Sequence, residues 1–243
     1  MLILQDYQKN FQVLSGLHIK QLEKSRTKAK SINFFKGFIL ILIFACLFVF
    51  SGCASSIALK QSDKLAIQSV NITKDVKMPE RMFYQGRKES ILSGCGCLGV
   101  AAAESGRKKT EESIKDVMEK ANIEIGQIVR DQFINEIKDS NLFKIVSDGN
   151  DAEFRLSIRI YGFAQPHGLS SQLKPMLGVE GSLVELHDDR VVWKKYEYVT
   201  NLNDKTPSHS LEEYFSNTEL IREALNVASQ IVVGDLIDDM RGE

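Results

Sequence analysis

FRLSIRIY, residues 154–161, is the stretch that decides the fold of this chain. Its apolar residues occupy every second position and alternate with Arg155, Ser157, Arg159 and Tyr161. Successive side chains of a strand point to opposite faces of a sheet, so a period of two predicts a strand with one buried face. The side chains predicted for the buried face are Phe154, Leu156, Ile158 and Ile160.

More strands are predicted on both sides of this stretch. The segments 176–186 and 190–199 flank a short polar turn, which predicts a hairpin. Asp188 and Asp189 lie in that turn and are predicted to form it rather than to act as a catalytic pair of carboxylates. Trp193 is predicted to pack over the helices or to line the rim of a groove. Upstream strands are predicted at 64–76 and 142–146.

Two long helices complete the predicted domain. Apolar residues at spacings of three and four predict an amphipathic helix over residues 111–140. A second long helix is predicted at the C-terminus, where Ser216 and Glu219 fit a capping box. Short turns between strands favour antiparallel pairing. The predicted fold class is α+β, a largely antiparallel sheet of about 4–5 strands with two long amphipathic helices on one face, in the order β-α-β-β-β-β-α.

The N-terminal part of the chain contains an apolar run at residues 37–50, with no charged, amide or hydroxyl side chain. As a helix these fourteen residues span about 21 Å, which is short of a roughly 30 Å hydrocarbon layer but typical of the apolar part of a secretory signal. Residues 1–53 hold seven Lys and Arg against two acids. This excess of positive charge predicts that the segment before the apolar run stays on the cytoplasmic side.

The apolar run ends in Phe50-Ser51-Gly52-Cys53, where two small residues stand directly before a cysteine. This order resembles the lipobox of bacterial lipoproteins. The resemblance implies that a signal peptidase recognises Phe50, Ser51 and Gly52 and cuts before Cys53, which carries a diacylglycerol on its thiol and an N-acyl chain. The alternative is an uncleaved signal anchor over residues 34–52.

The same resemblance organises the rest of the chain. Residues 1–52 are expected to be the signal peptide, 53–63 the lipidated cysteine and a tether, and 64–243 a single periplasmic α+β domain. Ala54, rather than Asp, follows the cysteine. In this family that residue implies a lipid anchor in the outer membrane, on its periplasmic face, with the periplasmic face of the inner membrane as the alternative.

The segment 91–106 is predicted as an insertion rich in Gly, Cys and Ala. It fits a flexible loop of small residues, or a segment that contacts the membrane or a neighbouring subunit, because small residues permit close backbone packing. Its glycines match G-x-G-x-x-G, but no buried strand precedes them, so no nucleotide binding is predicted. Cys95 and Cys97 are predicted either to form a strained disulfide or to remain free thiols.

No pattern of reactive residues points to catalysis. The sequence contains no G-x-S-x-G, H-E-x-x-H or Walker loop, and no Cys and His ligands at metal spacing. We therefore expect a protein that is not an enzyme and that binds no metal and no cofactor besides its covalent lipid. Residues 54–243 hold 24 basic and 30 acidic residues, a net charge of −6, which argues against nucleic acid as a partner.

A second resemblance covers residues 110–240. It rests on Leu142-Phe143, Ala152, the strand 154–161 and Val191-Val192-Trp193. This arrangement is similar to that of envelope lipoproteins that serve as auxiliary components of ABC-type transporters, and of curli-secretion-channel lipoproteins. The resemblance implies an accessory or assembly component of a cell-envelope complex that acts by binding a protein. The alternative is an oligomeric secretion-type or pore-type lipoprotein whose segment 91–106 contacts the membrane or neighbouring subunits.

Overall fold

The alternating stretch lies in the middle of the sheet in the computed structural model, which describes residues 56–86 and 96–242, with the side chains of 96–103 left out. These residues belong to one compact unit, Ser55–Glu243. The helices are α1 (Gln61–Ala66), α2 (Gly96–Lys120), α3 (Ile125–Ser140), α4 (Leu211–Ser216) and α5 (Thr218–Arg241). The strands are β1 (Ser69–Ile72), β2 (Phe83–Gln85), β3 (Lys144–Ile145), β4 (Ala152–Ala164), β5 (Gln172–Glu185), β6 (Arg190–Val199) and β7 (His209–Ser210).

The sheet is mixed, with seven strands among the described residues and the order β3-β1-β4-β5-β6 along its main path. β4, β5 and β6 pair antiparallel, and β7 pairs antiparallel with the start of β5. β1 and β2 both run parallel to β4, and β3 runs parallel to β1. The α+β class is confirmed, with more strands than expected. The parallel pairs arise because α2 and α3 carry the chain across before it re-enters the sheet.

A β-bulge in β4 changes which residues reach the core. The register with β5 shifts between Ile158 and Ile160, so an extra residue stands between them. Beyond the bulge Tyr161 and Phe163 are the buried side chains. The prediction for Ile160 is therefore wrong, because it lies on the opposite face of the sheet, beside Gly178. Before the bulge the predicted residues are buried: Phe154, Leu156 and Ile158.

Helices α3 and α5 pack on one face of the sheet. Phe154 of β4 lies at the centre of an aromatic cluster on that face, in edge-to-face contact with Phe133, Phe143 and Trp193 at centroid distances of 5.0, 5.8 and 6.2 Å. Such pairs stabilise beyond the area they bury. The apolar stripe of α5 that faces the sheet and α3 is Ile221, Ala224, Leu225, Ala228, Val232, Val233, Leu236, Ile237 and Met240.

Asp239 joins the end of α5 to β6. Its carboxylate accepts hydrogen bonds from Trp193 Nε1 at 3.0 Å and from Lys195 Nζ at 2.6 Å. Trp193 is fully buried, so its predicted packing against the helices is confirmed. Burial alone would raise the pKa of Asp239, but the two hydrogen bonds lower that pKa below its ordinary value of 3.8.

Asp239→Ala is expected to lower the free energy of unfolding by about 2 kcal/mol near neutral pH, because it leaves the buried indole N–H without an acceptor. Since the pKa of Asp239 is lowered, its contribution is present above pH 3.8 and is lost as the pH falls through the folded-state pKa. Urea unfolding at a series of pH values measures both effects.

The matched control is Asp238→Ala, because Asp238 is the preceding residue but is half exposed and pairs with Arg241 on the helix surface. Its loss is expected to stay within about 0.5 kcal/mol. Equal losses for the two variants, or a loss for Asp239→Ala that does not shrink in acid, would contradict this account of the α5–β6 contact.

The predicted strand at 64–76 is only partly present. Residues Gln61–Ala66 form helix α1, and strand β1 is confined to Ser69–Ile72. Lys, Leu and Ala favour a helix, and the alternation that suggested a strand is weak. Asp63 of α1 also pairs with Arg190 of β6, Oδ1 to Nη2 at 3.2 Å, which holds the helix against the sheet.

The predicted helix at 111–140 is two helices. α2 ends at Lys120, and Asn122 just beyond it has a φ of 50°. The N–H of Ile123 donates to the carbonyl of Met118 at 2.8 Å, and the N–H of Asn122 donates to the carbonyl of Glu119 at 3.1 Å. These are the two bonds of a Schellman cap, and asparagine tolerates the left-handed conformation that the cap requires.

The insertion predicted at 91–106 is not a loop throughout. α2 begins at Gly96, so residues 96–106 of the segment are helical. Its alanines at 101–103 have the highest helix propensity of any residue, which outweighs the cost of the glycines. Residues 91–95 lie outside the described residues.

The start of the C-terminal helix also differs from the prediction. A capping box forms one helix earlier, where Ser210 and Glu213 bond reciprocally and begin α4. Asn217 then caps α5 by accepting a hydrogen bond from the N–H of Glu219. The predicted cap at Ser216 is wrong because Ser216 is the last residue of α4.

Candidate binding surface

The residues predicted for signal-peptidase recognition and lipidation lie outside the described residues: Phe50, Ser51, Gly52 and Cys53. Cys95 lies outside them too, and Cys97 is the second residue of α2. The lipid anchor and the state of the C-x-C pair therefore stay predictions. Among residues 56–86 and 96–242, no helix combines the length and the apolar character that crossing a membrane requires.

The histidines of the described part do not converge on a reactive group. His167 and His187 lie in separate loops, and His209 is in β7, where its ring meets Tyr214 edge-on at 5.5 Å. No cluster of three or more His, Cys, Asp or Glu in the described ranges is arranged to hold a metal ion.

The face of the sheet opposite α3 and α5 carries a row of charged side chains. Glu180 of β5 lies between two cations from the neighbouring strands and accepts a hydrogen bond from Arg159 Nη2 at 2.8 Å. Lys194 Nζ lies 3.4 Å from the same oxygen, Oε1. The Glu180 side chain is only 14% exposed, whereas Arg159 and Lys194 are 47% and 31% exposed. The outer part of the row is therefore positively charged.

Two tyrosines from β6 continue this row. The rings of Tyr196 and Tyr198 stack at a centroid distance of 5.8 Å and an interplanar angle of 21°. Tyr196 lies over Gly178 of β5, where any larger residue would displace it. Partial burial raises the pKa of Tyr196, and Tyr198 raises it further while Arg159 lowers it. Tyr198 is 58% exposed, so the stack offers an aromatic surface to a partner.

β6 ends the main path of the sheet, and its outer edge is paired at one point in the described part. Ile57 and Lys194 form an isolated antiparallel bridge there. The backbone groups of Tyr196 and Tyr198 point to the same outer side as those of Lys194, because they are two and four residues further on. The chain is docked from Ile57 onward, within the range 53–63 that is predicted as a tether. We call the charged row, the tyrosine stack and this edge the open face.

A separate groove of about 780 Å³ lies between the α2–α3 junction and the segment that follows β1. Its floor is apolar, with Met118 and Ile125 among the lining residues, and Tyr161 reaches it from β4. The cations on its wall are Lys74, Lys115 and Arg130, and the carboxylates are Asp75, Glu119 and Glu124. The groove is thus lined by three cations and three carboxylates.

The sequence predicted that the chain binds a protein but did not indicate the tyrosine stack. The signal was present in the alternation of β6. Trp193 and Lys195 face α5, so Tyr196 and Tyr198, on the other parity, must face away from the helices. Glu180 and Arg159 could not be paired from the sequence, because their contact depends on the register between β4 and β5 and on the bulge.

No protein-family model matches this chain, and no curated protein does. Among solved structures it is similar to a protein from Xanthomonas campestris, at 15% identity and a TM-score of 0.35 over 48% of this chain and 62% of the other. It is also similar to the PelC dodecamer from Paraburkholderia phytofirmans, at 9% identity and 0.35 over 77% and 95%. A lipoprotein from Neisseria meningitidis is similar at 10% identity and 0.27 over 72% and 99%. The chain thus spans less than two thirds of the Xanthomonas protein, and no functional residue is transferred from these structures.

Proposed function

We propose that this chain is a lipid-anchored envelope lipoprotein that works by binding a protein partner, as an accessory or assembly component of a transport-type complex. The acyl chains on Cys53 hold it at the periplasmic face of the outer membrane. The support for the anchor is the order Phe50-Ser51-Gly52-Cys53 after an apolar run of signal length. The support for binding is the open face, where Tyr198 and Arg159 stand exposed.

The observation that carries the binding function is the one-sided packing of the sheet. α3 and α5 cover one face, whereas the other presents stacked tyrosines beside Arg159 and Lys194, which share the largely buried carboxylate of Glu180. Tyr and Arg are enriched at protein interfaces, because they combine large contact area with directed hydrogen bonds. The partner that fits is a protein with an acidic rim and an apolar centre, or an extended segment that adds to the edge of β6.

Photo-crosslinking in native membranes tests the binding surface. With p-benzoylphenylalanine in place of Tyr198, we expect a crosslinked species of higher mass that contains a second protein. The same group in place of Asn226, an exposed residue of α5 on the helix side, is the matched control and should give none. Equal crosslinking from both positions would contradict the assignment. A crosslink to a second copy of the chain would support the oligomeric alternative.

Gly178→Ala probes the same surface without replacing an exposed residue. An added Cβ would lie 2.8 Å from Ile160 Cγ2 and would overlap the Tyr196 hydroxyl, so the Tyr196 ring must move. We expect a several-fold drop in crosslink yield from position 198 and a stability loss of about 1 kcal/mol. Gly168→Ala, where no atom lies within 4 Å of the new Cβ, should change neither. An undiminished yield in Gly178→Ala would show that the stack is not part of the contact.

Cys53→Ala is expected to abolish incorporation of radiolabelled palmitate, because the Cys53 thiol is the proposed acceptor of the diacylglycerol. The experiment measures the incorporated palmitate and the share of the protein in the membrane fraction in the same samples. The Cys95→Ser/Cys97→Ser double variant is the control and should keep both the label and the membrane fraction. Equal labelling of Cys53→Ala and the unsubstituted chain would remove the lipid from this proposal.

A further inference from the structure

The first described residues of the chain are docked on β6, and their pairing shows in which direction the chain runs there. The N–H of Ile57 donates to the carbonyl of Lys194 at 2.8 Å, and the N–H of Lys194 donates back at 2.9 Å. The bridge is antiparallel, so residues after Ile57 run toward the start of β6, where Asp63 pairs with Arg190. From Ile57 back to Ser56 the chain therefore runs in the opposite direction, toward Val199.

The distance from this bridge to Cys53 is short. Cys53 lies four positions before Ile57, and an extended chain covers at most about 14 Å over that length. To bring Cys53 to the start of β6 the chain would have to reverse direction within three residues. The end of the sheet near Val199 is therefore the end that a lipid on Cys53 would bring to a bilayer.

That end of the sheet carries exposed leucines on two loops. Leu169 follows β4 and is 74% exposed, and Leu202 follows β6 and is 68% exposed. Asn201 Nδ2 donates to the carbonyl of Gln165, which joins the two loops, and Lys174 Nζ of β5 donates to the carbonyl of Asn203 at 2.9 Å. The two leucines therefore lie on loops that are hydrogen-bonded to each other.

We infer that this end of the domain, with Leu169 and Leu202, rests on the surface of the phospholipid bilayer that holds the anchor. The inference rests on the proposed lipidation of Cys53. Transfer of a leucine side chain from water to the acyl boundary lowers the free energy of the system. Such a contact attaches the domain to the bilayer at a second place, besides the lipid, and leaves the charged row and the tyrosine stack of the open face for a protein partner.

Leu65 provides a matched control. It is 71% exposed, close to the values of the two loop leucines, but it lies in α1 near the start of β6. β6 has ten residues, which span about 33 Å, so the two ends of the strand differ clearly in their distance from a bilayer. Exposure alone would predict the same behaviour for all three leucines, whereas the inferred orientation separates them.

The test uses the acylated chain with Cys95→Ser and Cys97→Ser, reconstituted in vesicles of phosphatidylethanolamine and phosphatidylglycerol. A single cysteine is introduced by Leu169→Cys, Leu202→Cys or Leu65→Cys and is labelled with an environment-sensitive fluorophore. Lipids with a nitroxide on the acyl chain are then added as quenchers. Peptide mass spectrometry of the same sample reports the acyl group on Cys53.

We expect several-fold quenching and a blue shift at positions 169 and 202, with neither at 65. Quenching at 65 but not at 169 and 202, or equal quenching at all three, would overturn the orientation. No quenching at any position in a sample whose Cys53 is acylated would overturn it too, and would leave the lipid anchor standing. A sample without an acyl group on Cys53 would remove both the anchor and the orientation that rests on it.

Discussion

Gly162→Ala is expected to destabilise the domain by about 3 kcal/mol or more, because it combines a backbone conformation and a contact that alanine cannot accept. Gly162 lies in β4 with a φ of +147°. It pairs with Phe83 of β2, and an added Cβ would overlap the Phe83 carbonyl oxygen and lie 2.7 Å from the carbonyl carbon. The backbone of Phe83 cannot rotate away from the added Cβ as a flexible side chain could, so β2 has to separate from β4.

Two glycine controls divide this effect into its parts. Gly149→Ala keeps a positive φ of 69° but has no atom within 4 Å of the new Cβ, so it measures backbone strain alone, about 1 kcal/mol. Gly168→Ala has neither feature and should change stability by less than about 0.5 kcal/mol. Chemical unfolding of the three variants measures the free energy of unfolding that each one loses. A loss for Gly162→Ala no greater than that for Gly149→Ala would show that β2 does not pack against β4 as described.

Phe154→Ala is expected to cost about 3–5 kcal/mol, because it removes a buried ring from the centre of the core. The ring is fully buried and touches the rings of Phe133, Phe143 and Trp193, which come from a helix, the following turn and a second strand. No single neighbour can close the cavity without losing its own contacts. The loss should therefore lie near the upper end of the range for this substitution.

Phe215→Ala is the control, since Phe215 is 40% exposed at the end of α4. We expect a loss of less than about 1 kcal/mol for it. Thermal unfolding, with the fluorescence of Trp193 as a probe, follows both variants, and Trp193 is the single tryptophan of the chain. If both phenylalanines gave equal losses, Phe154 could not be the centre of the core.

Local patterns predicted the elements that local energetics control. The alternation of residues 154–161 predicted β4, and the spacing of residues around the Asp188-Asp189 turn predicted the hairpin of β5 and β6. Asp189 has a φ of 51°, and the Asp188 carboxylate accepts a hydrogen bond from the N–H of Arg190, as a turn former does. These features depend on a few neighbouring residues and need no knowledge of the rest of the fold.

Other features depend on contacts between distant segments and could not be read in this way. The parallel pairing of β1 and β2 with β4 joins residues about eighty positions apart. The bulge beside Ile160 reverses the parity of the strand, although nothing in the alternation marks it. Asn122 is an exception, since an asparagine after the last turn of a helix is a known stop signal and could have indicated the end of α2.

The candidate surface also combines features that local sequence patterns predict with features that depend on contacts between distant segments. The alternation of β6 contains enough information to place Tyr196 and Tyr198 on the face away from Trp193. The ion pairs of Glu180 with Arg159 and Lys194 depend on the register of three strands, which only the folded sheet defines. The direction in which the chain leaves Ile57 depends on its bridge to Lys194, and no pattern in residues 53–63 indicates that bridge.

The lipid on Cys53 is most directly tested by the mass of the N-terminal peptide from protein extracted with detergent from native membranes. A lipoprotein gives a first peptide that begins at Cys53 and carries the mass of a diacylglycerol and an N-acyl chain. A first peptide that begins upstream of residue 53, with no added mass on the Cys53 sulfur, would contradict the proposed anchor and indicate an uncleaved signal anchor in its place.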